Sequence, residues 1–357
     1  MGGGILMGYD LAMYLDDIES RIDPGDEQAI YDAWVAYSEC RLSGHGEGRS
    51  MPSRKTSPSG IRWPGTTVNE SLESIDAMIY SQLKQVSDTL EYGGKNLLWM
   101  RANYGVGILP TVFGCPIFVM PPETNTLPNV RPLPGGEDAL RAVAEGEIPD
   151  FSAGWGANVF ACAERFAAIR QQYPKIARWV RIDHPDCQGP IDLAELLWGS
   201  DIFYALYDQP ALVHALLEKI TATYIAFLDR WFSLVPTTDG YHTYFGRMHK
   251  GTLTIRNDSS MNLSPGHYVE YVRPYDQRVL THFGGGMIHF CGRGTHFIGL
   301  MGELENLYAI DLSQPHLNDM EIILSATVDK GITLHTLPDP GIEKLRNGGH
   351  RFDLLAL

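Results

Sequence analysis

The sequence predicts an α/β protein, a (β/α)8 TIM barrel preceded by a helical and irregular N-terminal extension. Two observations carry this prediction. From about residue 96 onward, short apolar runs alternate with stretches of helical spacing, which is typical of parallel βαβ units. The apolar runs number eight, which favours a closed barrel over an open sheet. The 357 residues are 44% hydrophobic and 20% charged, the composition of a folded protein.

Residues 1–69 form the predicted extension, and residues 70–357 form the predicted barrel domain. Residues 10–42 have helical spacing. Residues 43–69 are rich in Gly, Ser, Pro and Arg, which indicates an irregular segment. We expect this segment to border the active-site mouth, and the Gly and Ser content of residues 43–66 would permit them to move as a lid.

The barrel domain begins with a helical segment at residues 70–92. The strand-like runs that follow are Leu97–Arg101, Pro116–Met120, Arg178–Asp183, Gly240–Phe245, Thr252–Asn257, Met287–Cys291, Leu307–Ile310 and Gly331–His335. Helical spacing recurs between them, over residues 155–172, 210–234, 265–283, 295–305 and 315–329. Active sites of barrel enzymes lie at the C-terminal ends of the strands, so the polar residues that end these runs are the site candidates.

The sharpest feature is the sequence FGGGMIHFCGRGTH. His289 and Cys291 lie two residues apart at the end of an apolar strand, so their side chains share one face. Imidazole and thiolate together suit Zn²⁺ with one position open for a substrate. No cysteine follows Cys291, so a third ligand must be of another type; His335 is the first choice, followed by Asp311 and His242. The alternative is a buried cysteine beside a hydrogen-bonded core histidine.

Other strand ends supply candidate substrate contacts. Arg101 and Asn103 share a strand face, and an arginine there can bind a carboxylate or phosphate through two parallel hydrogen bonds, or pair with a neighbouring aspartate. Asp258 can act chemically or cap the turn that follows it. We predict catalytic roles for Asp258, Glu123 and Asp183. We predict substrate contacts from Arg101, Asn103, Tyr104, Gln188 and His242.

Charge and motif content exclude several classes of function. Asp and Glu outnumber Lys and Arg by 43 to 28, a net charge of −15, which argues against nucleic acid or an anionic membrane as partner. No apolar run approaches the roughly 20 residues of a membrane span. The five scattered cysteines imply no disulfide framework, and the N-terminus lacks the basic start of a signal peptide, so we expect a cytoplasmic protein. No P-loop, C-x-x-C or G-x-S-x-G motif is present.

The chain resembles the uroporphyrinogen decarboxylase superfamily from about residue 10 to the C-terminus. The resemblance is carried by Trp63-Pro64, Val68-Asn69, Arg101-Ala102-Asn103-Tyr104-Gly105, Phe113-Gly114, Asp186-Cys187-Gln188-Gly189-Pro190, Tyr207-Asp208-Gln209-Pro210, Ser264-Pro265, Pro274-Tyr275 and His289-Phe290-Cys291-Gly292. It implies a (β/α)8 fold and one of two chemistries. One is cofactor-free decarboxylation of a porphyrinogen. The other is methyl transfer between a corrinoid protein and a thiol or related acceptor, with zinc held by an H-x-C pair and a later cysteine.

Departures from the family pattern favour the second chemistry. The R-Q-A-G-R stretch of the decarboxylases is absent, since Ala102, Asn103 and Tyr104 follow Arg101. The later cysteine of the methyltransferases is also absent, and His335 is the nearest strand-end residue. The leading hypothesis is a corrinoid-linked methyltransferase with a Zn²⁺ site, a small-molecule methyl donor or acceptor and a corrinoid carried by a partner protein.

Two other hypotheses stay open. One is a carboxy-lyase acting on a tetrapyrrole or another carboxylated substrate, with Arg101, Arg54 and Arg293 at the mouth. The other is a non-catalytic barrel that binds a corrinoid or tetrapyrrole. In the leading hypothesis, Glu123 or Asp258 would assist a leaving group as a general acid. A homodimer is the expected assembly, because dimers are the commonest assemblies of soluble proteins.

Overall fold

The computed structural model describes residues 10–40, 51–237 and 239–336, and the backbone of a short strand at 355–356. The first part of the predicted lid, residues 43–50, lies outside the described residues. Its remainder is irregular apart from an isolated bridge between Arg54 and Gly94.

The protein is an α/β protein, as predicted. The helices are α1 (Leu11–Arg21), α2 (Pro24–Ser38), α3 (Val68–Ser71), α4 (Ile75–Tyr92), α5 (Ile108–Val112), α6 (Gly136–Glu145), α7 (Gly156–Gln172), α8 (Pro174–Trp179), α9 (Pro190–Trp198), α10 (Ile202–Asp208), α11 (Pro210–Leu234), α12 (Pro265–His267), α13 (Arg273–Phe283), α14 (Ile298–Met301) and α15 (Met320–Ala326). The strands are β1 (Leu98–Met100), β2 (Ile117–Phe118), β3 (Asn129–Val130), β4 (Val180–Ile182), β5 (Tyr241–Tyr244), β6 (Arg247–Lys250), β7 (Leu253–Arg256), β8 (Gly286–Phe290), β9 (Leu307–Leu312), β10 (Thr333–Thr336) and β11 (Leu355–Ala356).

The main sheet has five parallel strands in the order β11-β10-β9-β8-β7. Strands β1 and β4 form a separate parallel pair, while β2 with β3 and β5 with β6 form antiparallel pairs. Within the described ranges these sheets do not join into the closed eight-stranded barrel that the sequence predicts.

Two of the runs predicted as parallel barrel strands form antiparallel hairpins instead. The run Pro116–Met120 is largely exposed and forms only the small β2–β3 hairpin. The run Gly240–Phe245 turns back on itself into β6. Phe245 and Gly246 both have positive φ, 51° and 74°, the backbone of a two-residue hairpin turn whose twist suits antiparallel strands.

The N-terminal extension packs directly on the main sheet. Helix α2 begins where Asp23 accepts hydrogen bonds from the backbone N–H groups of Gly25 and Asp26, at 2.8 and 3.0 Å, and Pro24 fits the first turn. Near the C-terminal end of this helix, the Tyr37 hydroxyl donates to the Leu334 carbonyl of β10 at 3.0 Å. The extension therefore covers part of the sheet.

Helix α11 is long and apolar enough to cross a bilayer, but 56% of its apolar window is buried inside the protein. It packs against α6, α7, α9, α10 and α13. This is the environment of a core helix.

Two rows of side chains cross the main sheet in register, one on each face. The apolar row is completely buried and consists of Ile255, Ile288, Ile310 and Leu334. The next residue of each strand points to the opposite face, because side chains alternate along a strand. This polar row consists of Arg256, His289, Asp311 and His335. Burial of the apolar row fixes the register and thereby aligns the polar row.

Candidate metal centre and polar pocket

The polar row continues into a second tier just beyond the strand ends. Asp258, Cys291 and Ser313 each lie two residues after a member of that row, so they follow the same face. An oxygen of Asp258 accepts a hydrogen bond from the Cys291 backbone N–H at 2.7 Å. The Ser313 hydroxyl donates to the Cys291 sulfur at 3.1 Å. The tier is therefore held together by direct hydrogen bonds.

Asp258, His289 and Cys291 bring three potential ligand atoms within 4.8 Å of one another. His289 Nε2 is 3.5 Å from both Asp258 Oδ1 and Cys291 Sγ. The histidine is buried, whereas the aspartate and the cysteine are half-buried. One nitrogen, one sulfur and one carboxylate oxygen are ligands that zinc accepts in proteins. We call these three residues the metal trio.

Asp311 orients the histidine of the metal trio. His289 Nδ1 donates to Asp311 Oδ2 at 2.6 Å, which leaves Nε2 directed toward Asp258 and Cys291. Arg247 pairs with the other Asp311 oxygen at 2.9 Å. Burial alone would raise the pKa of Asp311, but the bonds from His289 and Arg247 hold the pKa below its usual value. An ionised carboxylate behind a ligating histidine fixes the histidine tautomer and increases its basicity.

Asp192 supports the turn that carries Asp258. Its two carboxylate oxygens accept hydrogen bonds from the backbone N–H groups of Asp258 and Ser259, at 2.9 and 2.8 Å. Burial raises the pKa of Asp192 to about 7. The sequence pattern does not indicate this role, because the partners of Asp192 lie in a turn more than sixty positions away along the chain.

His335 does not join the metal trio, which corrects the predicted third ligand. It follows Asp311 in the polar row, but its ring packs against the rings of Trp34 and Tyr37 in helix α2, at 5.9 and 5.5 Å. Neither ring nitrogen has a hydrogen-bond partner within the described part of the chain. Burial lowers the pKa of His335 well below its usual value, so the ring is neutral. Asp258, predicted as a catalytic residue, offers the third potential ligand atom beside His289 and Cys291.

Replacing His335 by leucine should leave metal binding unchanged and stabilise the protein. A buried polar group without a partner costs about 1–3 kcal/mol, which leucine would recover. Folding keeps His335 neutral, whereas the unfolded chain protonates it as the pH falls through about 6.5. The free energy of unfolding of the wild type therefore decreases as the pH falls below about 6.5. The advantage of the variant should therefore grow between about pH 6.5 and 5 in urea unfolding. Loss of metal from the variant would contradict this placement.

Asp186 lies between two buried arginines. Asp186 Oδ1 is 3.2 Å from Arg256 Nε, and Oδ2 is 3.8 Å from Arg101 Nη1. Gln188 donates to the same carboxylate at 2.6 Å. Burial alone would raise the pKa of Asp186, but Arg256 and Arg101 hold it below its usual value. Two guanidinium groups share this one carboxylate, and we call the four residues the arginine pocket.

Two aromatic residues link the arginine pocket to the metal trio. The Arg256 guanidinium lies 5.0 Å from the centre of the Tyr244 ring, and this ring is 5.3 Å from the His289 ring. Arg101 lies 4.9 Å above the ring of Phe245, which is 39% exposed. A substrate anion near Arg256 would therefore also lie near the metal trio.

Asp183 is buried beneath the β5–β6 hairpin. Its carboxylate accepts hydrogen bonds from the Thr243 hydroxyl and, at 3.2 Å, from the Phe245 backbone N–H. Burial raises the pKa of Asp183 to about 7, so this group could hold or release a proton near neutral pH. The described bonds tie it to the tip of the hairpin.

Two predicted substrate contacts lie in the packed interior instead. Tyr104 is completely buried, with its hydroxyl 3.7 Å from the Cys162 sulfur and its ring stacked on Trp155. His242 is 3% exposed and stacks on His184 at 4.9 Å, and burial lowers its pKa well below the usual value. Packing accounts for both side chains, so the structure gives no support to their predicted contact with substrate.

The remaining predicted residues are placed as follows. Asn103 accepts a hydrogen bond from Arg101 Nε at 3.0 Å, so it steadies the arginine pocket. Glu123 is exposed in a short 3₁₀ turn between β2 and β3, and the described bonds do not connect it to the metal trio. Arg54 forms a buried ion pair with Glu27, and Arg293 is exposed.

Comparison with known proteins shows a likeness of fold. No family model matches the chain, and no curated protein matches it. The structure is similar to that of a methyltransferase from Methanosarcina mazei, with a TM-score of 0.59 and 14% sequence identity, covering 92% of each chain. At this identity the comparison shows a similar fold over nearly the whole length of both chains.

Proposed function

We propose that the protein is a methyltransferase that holds a zinc ion in the metal trio. The observation that carries the proposal is the convergence of Asp258, His289 and Cys291 within 4.8 Å, with Asp311 behind the histidine. The similarity of fold to a methyltransferase supports the same class of reaction. We further propose that the main sheet and the β1–β4 pair are parts of one α/β barrel, since β4 contacts β5 and β5 contacts β7.

The donor atoms of the metal trio fit zinc better than magnesium or calcium. The latter two ions prefer oxygen ligands, whereas zinc accepts a thiolate and an imidazole. Three protein ligands leave a fourth position for a substrate, as in catalytic zinc sites. When bound, zinc lowers the pKa of a thiol or water ligand and so supplies a nucleophile at neutral pH.

The surrounding side chains prepare the ligands for this role. Asp311 accepts the Nδ1 hydrogen bond of His289 and so directs Nε2 toward Asp258 and Cys291, where zinc would replace the Nε2 proton. The Ser313 hydroxyl donates to the Cys291 sulfur, which favours the thiolate. Asp258 is held in place by its bond from the Cys291 backbone and by Asp192.

For the methyl group we propose a corrinoid carried by a partner protein and a small-molecule thiol or related compound. The motif resemblance to the corrinoid-linked branch of the uroporphyrinogen decarboxylase superfamily supports this choice. We also propose that the protein acts in the cytoplasm as a homodimer. Within the described part of the chain, Cys115, Cys162, Cys187 and Cys291 form no disulfide, which suits a reducing compartment.

A second candidate is a metal-free carboxy-lyase. The observation in its favour is the arginine pocket, where the Arg101 and Arg256 guanidinium groups share the Asp186 carboxylate. Guanidinium groups of this kind could also bind the carboxylate of a substrate. Arg54, one of the three arginines considered for this hypothesis, forms an ion pair with Glu27 and is not part of the arginine pocket.

The first test measures metal content and methyl transfer in the same preparations. We expect about one zinc per wild-type chain and methylation of a thiol from methylcobalamin. A His289→Ala/Cys291→Ala variant should lose both. Cys40→Ala, which removes a cysteine outside the site, should keep both. A wild-type protein that binds no zinc when offered it would overturn the proposal. Release of CO₂ from uroporphyrinogen would then establish the lyase, and corrinoid binding without turnover would establish a binding protein.

A further inference from the structure

A small cavity lies where the chain enters strands β4 and β5. Its volume is about 210 Å³, and its charged lining residues are Arg170, Arg178, Arg181 and Asp239. These residues lie in β4 or ahead of β4 and β5, whereas the metal trio lies at the C-terminal ends of β7 and β8. The cavity therefore uses none of the residues in the proposed active site.

Among the described residues, Arg181 is the one cavity arginine that forms an ion pair with a carboxylate. Arg181 binds both oxygens of Asp239, at 2.5 and 3.0 Å, and the Tyr31 hydroxyl donates to the same carboxylate at 3.1 Å. Burial alone would raise the pKa of Asp239, but Arg181 holds the pKa below its usual value. The carboxylate is therefore ionised, and its charge is matched by Arg181.

Arg170 and Arg178 form no ion pair within the described part of the chain. Arg170 donates to the Ala177 carbonyl at 3.3 Å. Arg178 lies over the rings of Trp179 and Tyr31, at 4.8 and 5.7 Å, an arrangement that holds the guanidinium but leaves its charge unneutralised.

The charges of this cavity contrast with those of the whole molecule. Arginine stays protonated in proteins, so three arginines and one ionised aspartate leave an excess of two positive charges. His242 also lines the cavity, but burial lowers its pKa and keeps it neutral. The protein as a whole carries −15. A local surplus of two cations in an acidic protein is most simply balanced by an anion with two negative charges.

The size of the cavity limits the anion. Drug-sized ligands occupy about 300–1,000 Å³, which exceeds the 210 Å³ here. Guanidinium groups match phosphate oxygens in shape and hydrogen bonding. We propose that this cavity binds a small doubly charged oxyanion of the phosphate type, either as the free ion or as the terminal group of a phosphate ester.

The test is isothermal titration calorimetry, which measures the affinity of the full-length protein for inorganic phosphate and for glycerol 3-phosphate. Sodium chloride holds the ionic strength constant. The wild type should bind phosphate at one site per chain. Arg170→Gln and Arg178→Gln should each weaken binding by about tenfold or more, because each removes charge-assisted hydrogen bonds. Arg141→Gln, which changes an exposed arginine paired with Glu137, is the matched control and should bind normally.

The outcomes separate the alternatives. Tighter binding of the ester than of phosphate would identify the terminal group of a larger molecule, and equal or weaker binding would identify the free ion. Failure of both compounds to bind, or equal affinity in all variants, would overturn the proposal. Arg178 is exposed, so its variant carries the test if Arg170→Gln fails to fold. Zinc content should be the same in every variant, which separates this result from the proposed methyl transfer.

Discussion

Replacing His289 by alanine should remove zinc binding and methyl transfer together. The change leaves two ligand atoms in the metal trio and removes the hydrogen bond that Asp311 accepts from His289. We expect zinc affinity to fall by more than the roughly 10- to 100-fold that loss of an outer hydrogen-bond partner costs. Competition with a chromophoric chelator measures this affinity. His282→Ala, which removes an exposed histidine paired with Asp229, should bind zinc as the wild type does.

Asp311→Asn refines the same prediction. Asparagine can still accept the His289 Nδ1 hydrogen bond, but it lacks the negative charge that strengthens the bond. Zinc affinity should fall by about 10- to 100-fold, less than in His289→Ala. Wild-type affinity in Asp311→Asn would mean that Asp311 does not support the metal trio. Wild-type affinity in His289→Ala would contradict the trio itself.

Replacing Arg256 by methionine should lower the free energy of unfolding by about 3–5 kcal/mol, the usual cost of removing one partner from a buried ion pair. Arg101, 3.8 Å away, would be the remaining cation beside Asp186. Urea unfolding measures the loss. The matched control is Arg278→Met, which breaks an exposed pair with Glu218 and should cost about 0–1 kcal/mol.

A double-mutant cycle then tests whether the two groups act together. Asp186→Asn alone leaves Arg101 and Arg256 facing each other without their shared carboxylate. The double variant Arg256→Met/Asp186→Asn should cost less than the sum of the single variants, by about 0.5–3 kcal/mol. Additive costs would show that the arginine pocket is not an energetic unit.

The strand periodicity predicted the parts of the site that lie on single strands. The spacing of His289 and Cys291 placed them on one face, and the structure puts Cys291 Sγ 3.5 Å from His289 Nε2. The run Thr252–Asn257 became β7, which ends two residues before Asp258. The helix predicted over 210–234 has those bounds, because an apolar pattern of that length has few alternatives.

Residues whose surroundings come from distant segments could not be placed from the sequence. His335 lies next to the last residue of strand β10, which ends one position beyond the predicted strand end, and Trp34 and Tyr37 of the N-terminal extension pack against its ring. Tyr104 belongs to a predicted site motif, yet the Trp155 ring packs on it. Periodicity tells which face a side chain takes but not what packs against that face.

One signal in the sequence would have revealed more of the site. The pairs Arg256 and Asp258, and Asp311 and Ser313, repeat the two-residue spacing of His289 and Cys291 on the neighbouring strands. Aligned parallel strands bring such pairs into two tiers, as the structure shows. The partnership of Arg256 with Asp186 carries no such signal, because it joins the end of β7 to a loop seventy positions away in the sequence.

The most direct test of the metal trio is zinc X-ray absorption spectroscopy on the purified protein and on a Cys291→Ser variant. The proposed ligands predict one sulfur at about 2.3 Å and nitrogen and oxygen neighbours at about 2.0–2.2 Å. The sulfur neighbour should disappear in the variant. A wild-type spectrum without sulfur, or a sulfur neighbour that persists in Cys291→Ser, would contradict the assignment of Asp258, His289 and Cys291 as the zinc site.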